Sequence, residues 1–206
     1  MKIITISREF GSGGRELGRR LADELGFAYY DREILCKIAE NLEMDEHYIE
    51  KVLDRGFTVS YPYTFRRSFA LQGYAQNQTA GILAEQHKVI RLLAEKGDAV
   101  MVGRNADIIL HDMQPYRIFI YADMETKLER CRQRAASDEN MCGYEMERRM
   151  KVIDKARAAS HDFLSNYRWG DRRVYELCVN TTGVEIPEIV PPLAVLAKQY
   201  FERKKK

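Results

Sequence analysis

The sequence predicts an α/β protein built on a five-stranded parallel sheet. Runs rich in β-branched and aromatic residues occur at 2–7, 27–30, 99–102, 116–121 and 174–179, and each is followed by a segment whose apolar residues recur at helical spacing. Parallel neighbours need crossover connections, so strands alternating with helices point to that architecture. A chain of 206 residues, 45% of them hydrophobic, suits one domain with a buried core and excludes a disordered regulator.

The first run, 2–7, opens on a glycine-rich turn and then on a helix over 15–25, where Leu17, Leu21 and Leu25 repeat every four residues. A short aromatic strand at 27–30 leads to Asp31, placed to cap a helix whose apolar face carries Ile34, Leu35, Ile38 and Ala39. A further helix runs through Ile49 and Leu53 to Gly56. Residues 57–75 interleave Phe57, Tyr61, Tyr63, Phe65, Phe69 and Tyr74 with Arg66 and Arg67, and read as a loop-rich excursion. A long amphipathic helix at 76–96 stops at Gly97 and precedes the buried-strand pattern 99–102. After the strand at 116–121 come a charged helix at 125–136, a loop at 137–143, a basic helix at 144–160, the last strand and a closing helix at 187–200.

Lys plus Arg at 33 and Asp plus Glu at 31 leave a net charge of +2, which does not indicate a protein that coats nucleic acid. The terminal run from Arg203 to Lys206 reads as a solvated end. Cys36, Cys131, Cys142 and Cys178 form no CxxC pair, so reduced thiols in a cytoplasmic protein are the plain reading. No apolar run approaches the roughly 20 residues of a membrane span, and the N-terminus lacks the pattern of a signal peptide. His47, His87, His111 and His161 make no H-x-x-H or H-E-x-x-H group, so no protein-held metal site is expected.

The chemistry concentrates at the first turn. Gly11, Ser12, Gly13 and Gly14 lie between a strand and a helix, where free amides and the positive end of the helix dipole attract phosphate. This is the context of a P-loop, but the standard pattern places Lys and then Ser or Thr after the last glycine. Here Arg15 and Glu16 stand there. Arg15 replaces the lysine as a bidentate phosphate clamp, or the loop is a structural turn whose glycines allow close packing. Glu16 approaches a nucleotide-borne magnesium, or pairs with Arg19 or Arg20 one turn on.

Four separated segments resemble the cytidylate kinase-like family, a branch of the P-loop nucleoside monophosphate kinases. They are Ile6 to Gly18, similar to that branch's own phosphate loop; Phe27-Ala-Tyr-Tyr-Asp-Arg32; Val100-Met-Val-Gly-Arg-Asn-Ala-Asp107; and Asp154-Lys-Ala-Arg157, with its D-x-x-R spacing. The resemblance implies a three-layer P-loop NTPase fold over residues 1–206, with a helical monophosphate-binding insertion at about 32–96 and a lid at about 130–150. It also implies transfer of the ATP γ-phosphate, with Mg2+, to CMP, dCMP or a related acceptor. On that reading Arg15 and the lid's Arg130 and Arg134, four apart on one helical face, serve the transferring phosphate. Asp31, Arg32, Arg104, Asn105, Asp154 and Arg157 hold the acceptor.

Asn105 stands where the cytidylate kinases have Asp, so a kinase for another small phosphoacceptor is a second expectation, and a nucleotide-binding regulator without transfer a third. Arg104 follows a buried strand at the sheet edge where open α/β folds bind ligands. Arg132 falls on a different helical face and is left out. The aromatics of 57–75 either stack a base or pack the excursion onto its own domain or a second subunit, which would make a homodimer.

Overall fold

In the computed structural model, residues 1–54, 69–134 and 143–204 are described, with side chains at 1–53, 78–134 and 143–204. Five strands, β1 (Ile3–Arg8), β2 (Ala28–Tyr30), β3 (Ala99–Val102), β4 (Tyr116–Tyr121) and β5 (Leu177–Asn180), form one sheet in the order β2-β3-β1-β4-β5. Every pairing is parallel. The helices are α1 (Gly14–Leu25), α2 (Arg32–Leu42), α3 (Glu46–Asp54), α4 (Phe69–Ala94), α5 (Ala106–Ile109), α6 (Met124–Arg134), α7 (Gly143–Leu164) and α8 (Ile186–Arg203).

The strands are apolar on both sides because helices cover both faces of the sheet. Ile3, Ala99 and Met101 pack with Ile34, Ile38, Ile49 and Ile90 of α2, α3 and α4. Ile4, Ile6, Val100, Val102 and Ile118 pack on the other face with Leu17 and Leu21 of α1 and Leu193 and Ala197 of α8. The alternation along each strand divides its side chains between these two cores. Gly18 brings α1 close: a Cβ there would lie 2.7 Å from Cγ2 of Val102.

Three elements differ from the sequence reading. The last strand is Leu177–Asn180 and not 174–179. Val174 closes a turn on Asp171, and Tyr175 is spent packing 5.1 Å from Phe119. Helix α4 begins at Phe69, well before residue 76, because Ala70, Leu71, Gln72 and Ala75 are good helix formers despite the neighbouring aromatics. The short helix α5 was not expected at all. The aromatic stretch at 57–68, the side chains of Phe69 and Tyr74, and residues 135–142 of the expected lid lie outside the described residues.

Strand β1 has β3 on one side and β4 on the other, although the chain leaves β1 for β2. This is a topological switch point, where ligands bind beyond the carboxyl ends of the strands. The glycine loop leaves β1 at this edge, and Gly103, Arg104 and Asn105 leave β3 beside it.

Candidate active site

Residues 9–13 form the loop, and Gly13 caps α1 with φ 81°. A Cβ at Gly13 would collide with Ile186, so only glycine closes this turn. Ser12 is fully buried, and its hydroxyl donates to the Glu9 carbonyl at 2.8 Å. The loop is braced from two sides. Arg130 donates to the carbonyls of Ser12, Thr181 and Val184 and to the Thr181 hydroxyl, at 2.7 to 3.3 Å. The Thr181 hydroxyl in turn donates to the Ser12 carbonyl at 2.8 Å. On the other side, Asp154 of α7 accepts the Phe10 amide at 2.7 Å, and the buried Lys127 lies 2.9 Å from Glu9 and 3.8 Å from Asp154. Burial pushes the Asp154 carboxyl up from its ordinary value, while the Phe10 amide and Arg157 oppose the change.

Two cavities flank the loop. One of about 340 Å³ is lined by Gly11, Gly13, Gly14 and Arg15 at the amino end of α1, with Arg134 and Cys131 from α6. The other, of about 530 Å³, lies between α3 and α7 and is lined by Arg104, Asn105, Gln86, Ser160 and Trp169 among others. Arg8, Phe10, Arg15, Arg149 and Arg157 line both. Four of the five shared residues are cations.

Arg8 sits deepest. Its guanidinium fills the space left by the missing side chain of Gly103 and lies 3.5 Å from Asp31. Burial and the neighbouring Arg157 push its pKa down to about 9, against the opposing pull of Asp31. A cation held in that state favours an anion beside it. Arg157 donates to the Arg8 carbonyl at 3.1 Å and lies over the Phe10 ring at 5.7 Å.

Gly103, Arg104 and Asn105 all have positive φ, 74°, 56° and 56°. Two consecutive non-glycine residues in the left-handed region store backbone strain, which persists where the surroundings enforce it. Gln86, buried at 2% exposure, donates to the Arg104 carbonyl at 3.2 Å, and the Asn105 amide donates to the Ser160 hydroxyl at 2.9 Å. Behind this turn, Asp107 reaches the Ser7 hydroxyl at 3.3 Å and His161 at 3.5 Å.

The structure therefore brings Gly11, Gly13, Gly14, Arg15 and Arg134 to one cavity, and Arg15, Arg104, Asn105 and Arg157 to the other. Ser12, Arg130 and Asp154 shape the loop from beneath. Asp31 makes no side-chain cap to α2, contrary to the capping expectation; it is drawn instead onto Arg15 at 2.5 Å. Arg32 pairs with Glu46 at 2.8 Å and lines neither cavity. Glu16 pairs with Arg20 at 2.9 Å and with Arg134. Sequence reasoning missed Arg8, Arg149, Lys127 and Trp169. The signal for Arg8 was present, since it ends a buried strand at the edge that singled out Arg104.

Among the described residues, no three His, Cys, Asp or Glu side chains come together to hold a metal ion. No helix among them is long and apolar enough to cross a membrane.

The sequence profile of the cytidylate kinase-like family matches residues 3–183. The chain belongs to that family. This cytidylate kinase-like chain has no match among the curated proteins. Among solved structures, an uncharacterized protein from Eubacterium ventriosum is 26% identical, with a TM-score of 0.68 over 96% of this chain and 99% of that one. A shikimate kinase from Bacteroides thetaiotaomicron is 15% identical (TM-score 0.55, covering 96% and 98%). A thymidylate kinase from Candida albicans is 14% identical (TM-score 0.50, covering 97% and 92%). These likenesses show the P-loop α/β fold that the strand order already gives.

Proposed function

We propose that this cytidylate kinase-like chain transfers the γ-phosphate of ATP to a nucleoside monophosphate, CMP, dCMP or a related acceptor. One observation carries the reading: two cavities meet at a shared wall of Arg8, Arg15, Arg149 and Arg157. Phosphoryl transfer asks for positive charge around the transferring group, an in-line acceptor and exclusion of water. ATP lies with its phosphates along Gly11 to Arg15, and the monophosphate lies against Arg104 and Arg157. An acceptor phosphate oxygen attacks the γ-phosphorus, the bond to the β-phosphate oxygen breaks, and ADP leaves. No general base is needed, because a phosphate monoester with its second pKa near 6 is already largely dianionic at neutral pH (about −2).

The amount of charge favours an anionic acceptor over a neutral one. Arg15 and Arg134 suit a donor's phosphates, while Arg8, Arg104 and Arg157 on the acceptor side call for a second anion. Magnesium would enter with the nucleotide, held mostly by phosphate and water oxygens. The chemistry it would supply there is neutralisation of charge on the transferring phosphates. Of the carboxylates around the loop, Asp31 and Glu16 are both paired with arginines and would reach it on rearrangement.

An ADP-release assay with ATP, Mg2+ and each of CMP, dCMP, UMP and AMP tests this. Turnover with at least one supports the kinase. ATP binding with no turnover of any monophosphate would instead favour a nucleotide-binding regulator.

A further inference from the structure

The acceptor cavity has a mixed lining. Arg8, Arg104 and Arg157 make it cationic, with Glu50 3.8 Å from Arg104, and Trp169 from the segment between α7 and β5 stands in the same lining with Val152, Ile153 and Ala156 of α7. Trp169 is held firmly. Its backbone amide donates to Asp162 at 2.7 Å, and its ring meets Phe119 edge to face, centroids 5.2 Å apart at 86°. Gly170 behind it has φ 78°, and a Cβ there would press on the Phe119 ring at 3.1 Å. An edge-to-face contact uses at most one face of the indole, and the residue is only half-buried. Asn105 and Ser160 line the same cavity. The Asn105 amide spends one N–H on Ser160, which leaves its carbonyl to accept and the Ser160 hydroxyl to donate. A rigid aromatic surface, a hydrogen-bonding edge and a cluster of cations in one cavity together match a ligand that is a planar heteroaromatic ring carrying a phosphate.

We infer that Trp169 is a specificity residue whose indole stacks on the base of the acceptor, selecting nucleotides over base-free phosphates such as ribose 5-phosphate. This rests on the acceptor being a nucleoside monophosphate. It assigns the base to a residue outside the glycine loop, the Gly103–Asn105 turn and the D-x-x-R helix. An alicyclic or sugar phosphate satisfies the arginines equally well but gives no stacking.

Trp169 is the chain's single tryptophan, so intrinsic fluorescence reports on it directly. Wild-type protein is titrated with CMP, UMP, AMP, ribose 5-phosphate and inorganic phosphate. A saturable change in emission with at least one nucleotide, and none with the two base-free phosphates, is expected. In steady-state assays Trp169→Leu raises the acceptor KM roughly 5- to 100-fold, the scale of one base stacked on an aromatic side chain. The ATP KM stays within about twofold, and Trp169→Phe recovers most of the loss.

Two results overturn the inference: a Trp169→Leu protein of native circular dichroism with an unchanged acceptor KM, or an unchanged emission while wild type phosphorylates the nucleotide. Both leave the kinase reading standing. Conversely, nucleotide-specific quenching without turnover supports the stacking and removes the kinase reading. If no monophosphate either turns over or alters the emission, both fall.

Discussion

Asp31, at the end of β2, holds the Arg15 guanidinium at 2.5 Å while its other oxygen lies 3.5 Å from Arg8. One carboxylate thus spans two of the four cations that line both cavities. Arg15 occupies the P-loop lysine position and is 70% exposed, so the ion pair itself is worth little stability. In the proposed transfer its use is orientation. Arg15→Ala should lower turnover roughly 100- to 1000-fold, the usual cost of losing one transition-state charge partner. Arg15→Lys should recover part of that, because a point charge lacks the bidentate geometry. Asp31→Asn should lower both kcat and the melting temperature, because it removes the carboxylate that opposes the burial penalty on Arg8. Steady-state assays with thermal melts on the same samples check all three, and full activity in Arg15→Ala would remove Arg15 from the site.

Much of this arrangement is legible from local pattern. Strand β1, the glycine loop and α1 are written in a β-branched run, glycines that permit close approach and leucines every fourth residue. Arg104 is legible because the carboxyl edge of a buried strand is a binding edge. Arg8 obeys the same rule, but its burial depends on Gly103, 95 residues later, whose missing Cβ admits the guanidinium. No local spacing carries that contact. Asp31 and Arg32 show the same limit: adjacent residues take opposite fates, one drawn onto Arg15 and the other onto Glu46. Spacing puts Arg130 with Arg134 on one helical face toward the transferring phosphate, and only the closeness of Thr181 and Val184 turns Arg130 beneath the loop.

Arg8 is a charge carried at the expense of stability. Its pKa is pushed down to about 9, first by burial and then by Arg157. A cation whose folded pKa lies below its unfolded value costs stability at every pH below about 9, and the cost fades as pH rises through it. Arg8→Met removes the charge and keeps an unbranched, adaptable apolar side chain. It should raise the melting temperature of the ligand-free protein by about 2–5 °C at neutral pH while abolishing turnover. Inorganic phosphate should stabilise wild type and have much less effect on the variant. A variant that melts well below wild type would show that Arg8 holds the fold together.

His161 and Asp107 give a pH dependence of the opposite sign. Both are buried, 3.5 Å apart, with Asp162 3.4 Å from the other ring nitrogen and Ser7 bonded to the same Asp107 oxygen. Burial opposes the charged imidazole, but Asp107 and Asp162 outweigh it and raise its pKa. The pair therefore contributes its full stability below about pH 6.5, the unfolded value, and loses it as pH rises through the higher folded value. Wild-type melting temperature should fall between pH 6 and pH 8.5 more steeply than that of His161→Gln. Parallel curves for the two proteins would exclude the ion pair.

Arg130 and Arg134 separate support from contact. Arg130 gives its guanidinium to four backbone and hydroxyl oxygens that join the glycine loop to the turn before α8, whereas the exposed Arg134 lines the cavity at the amino end of α1 and pairs with Glu16. Removing Arg130 leaves the Ser12 and Thr181 oxygens short of a charged donor, at a cost of about 2–4 kcal/mol. Arg130→Met should therefore melt lower and bind ATP more weakly. Arg134→Ala should melt like wild type, since an exposed ion pair contributes about 0–1 kcal/mol, yet lose turnover through the missing donor-side charge. Denaturant unfolding and ATP titration of the two variants decide this. An Arg130→Met protein of unchanged stability and weakened catalysis would place Arg130 on the nucleotide and not beneath the loop.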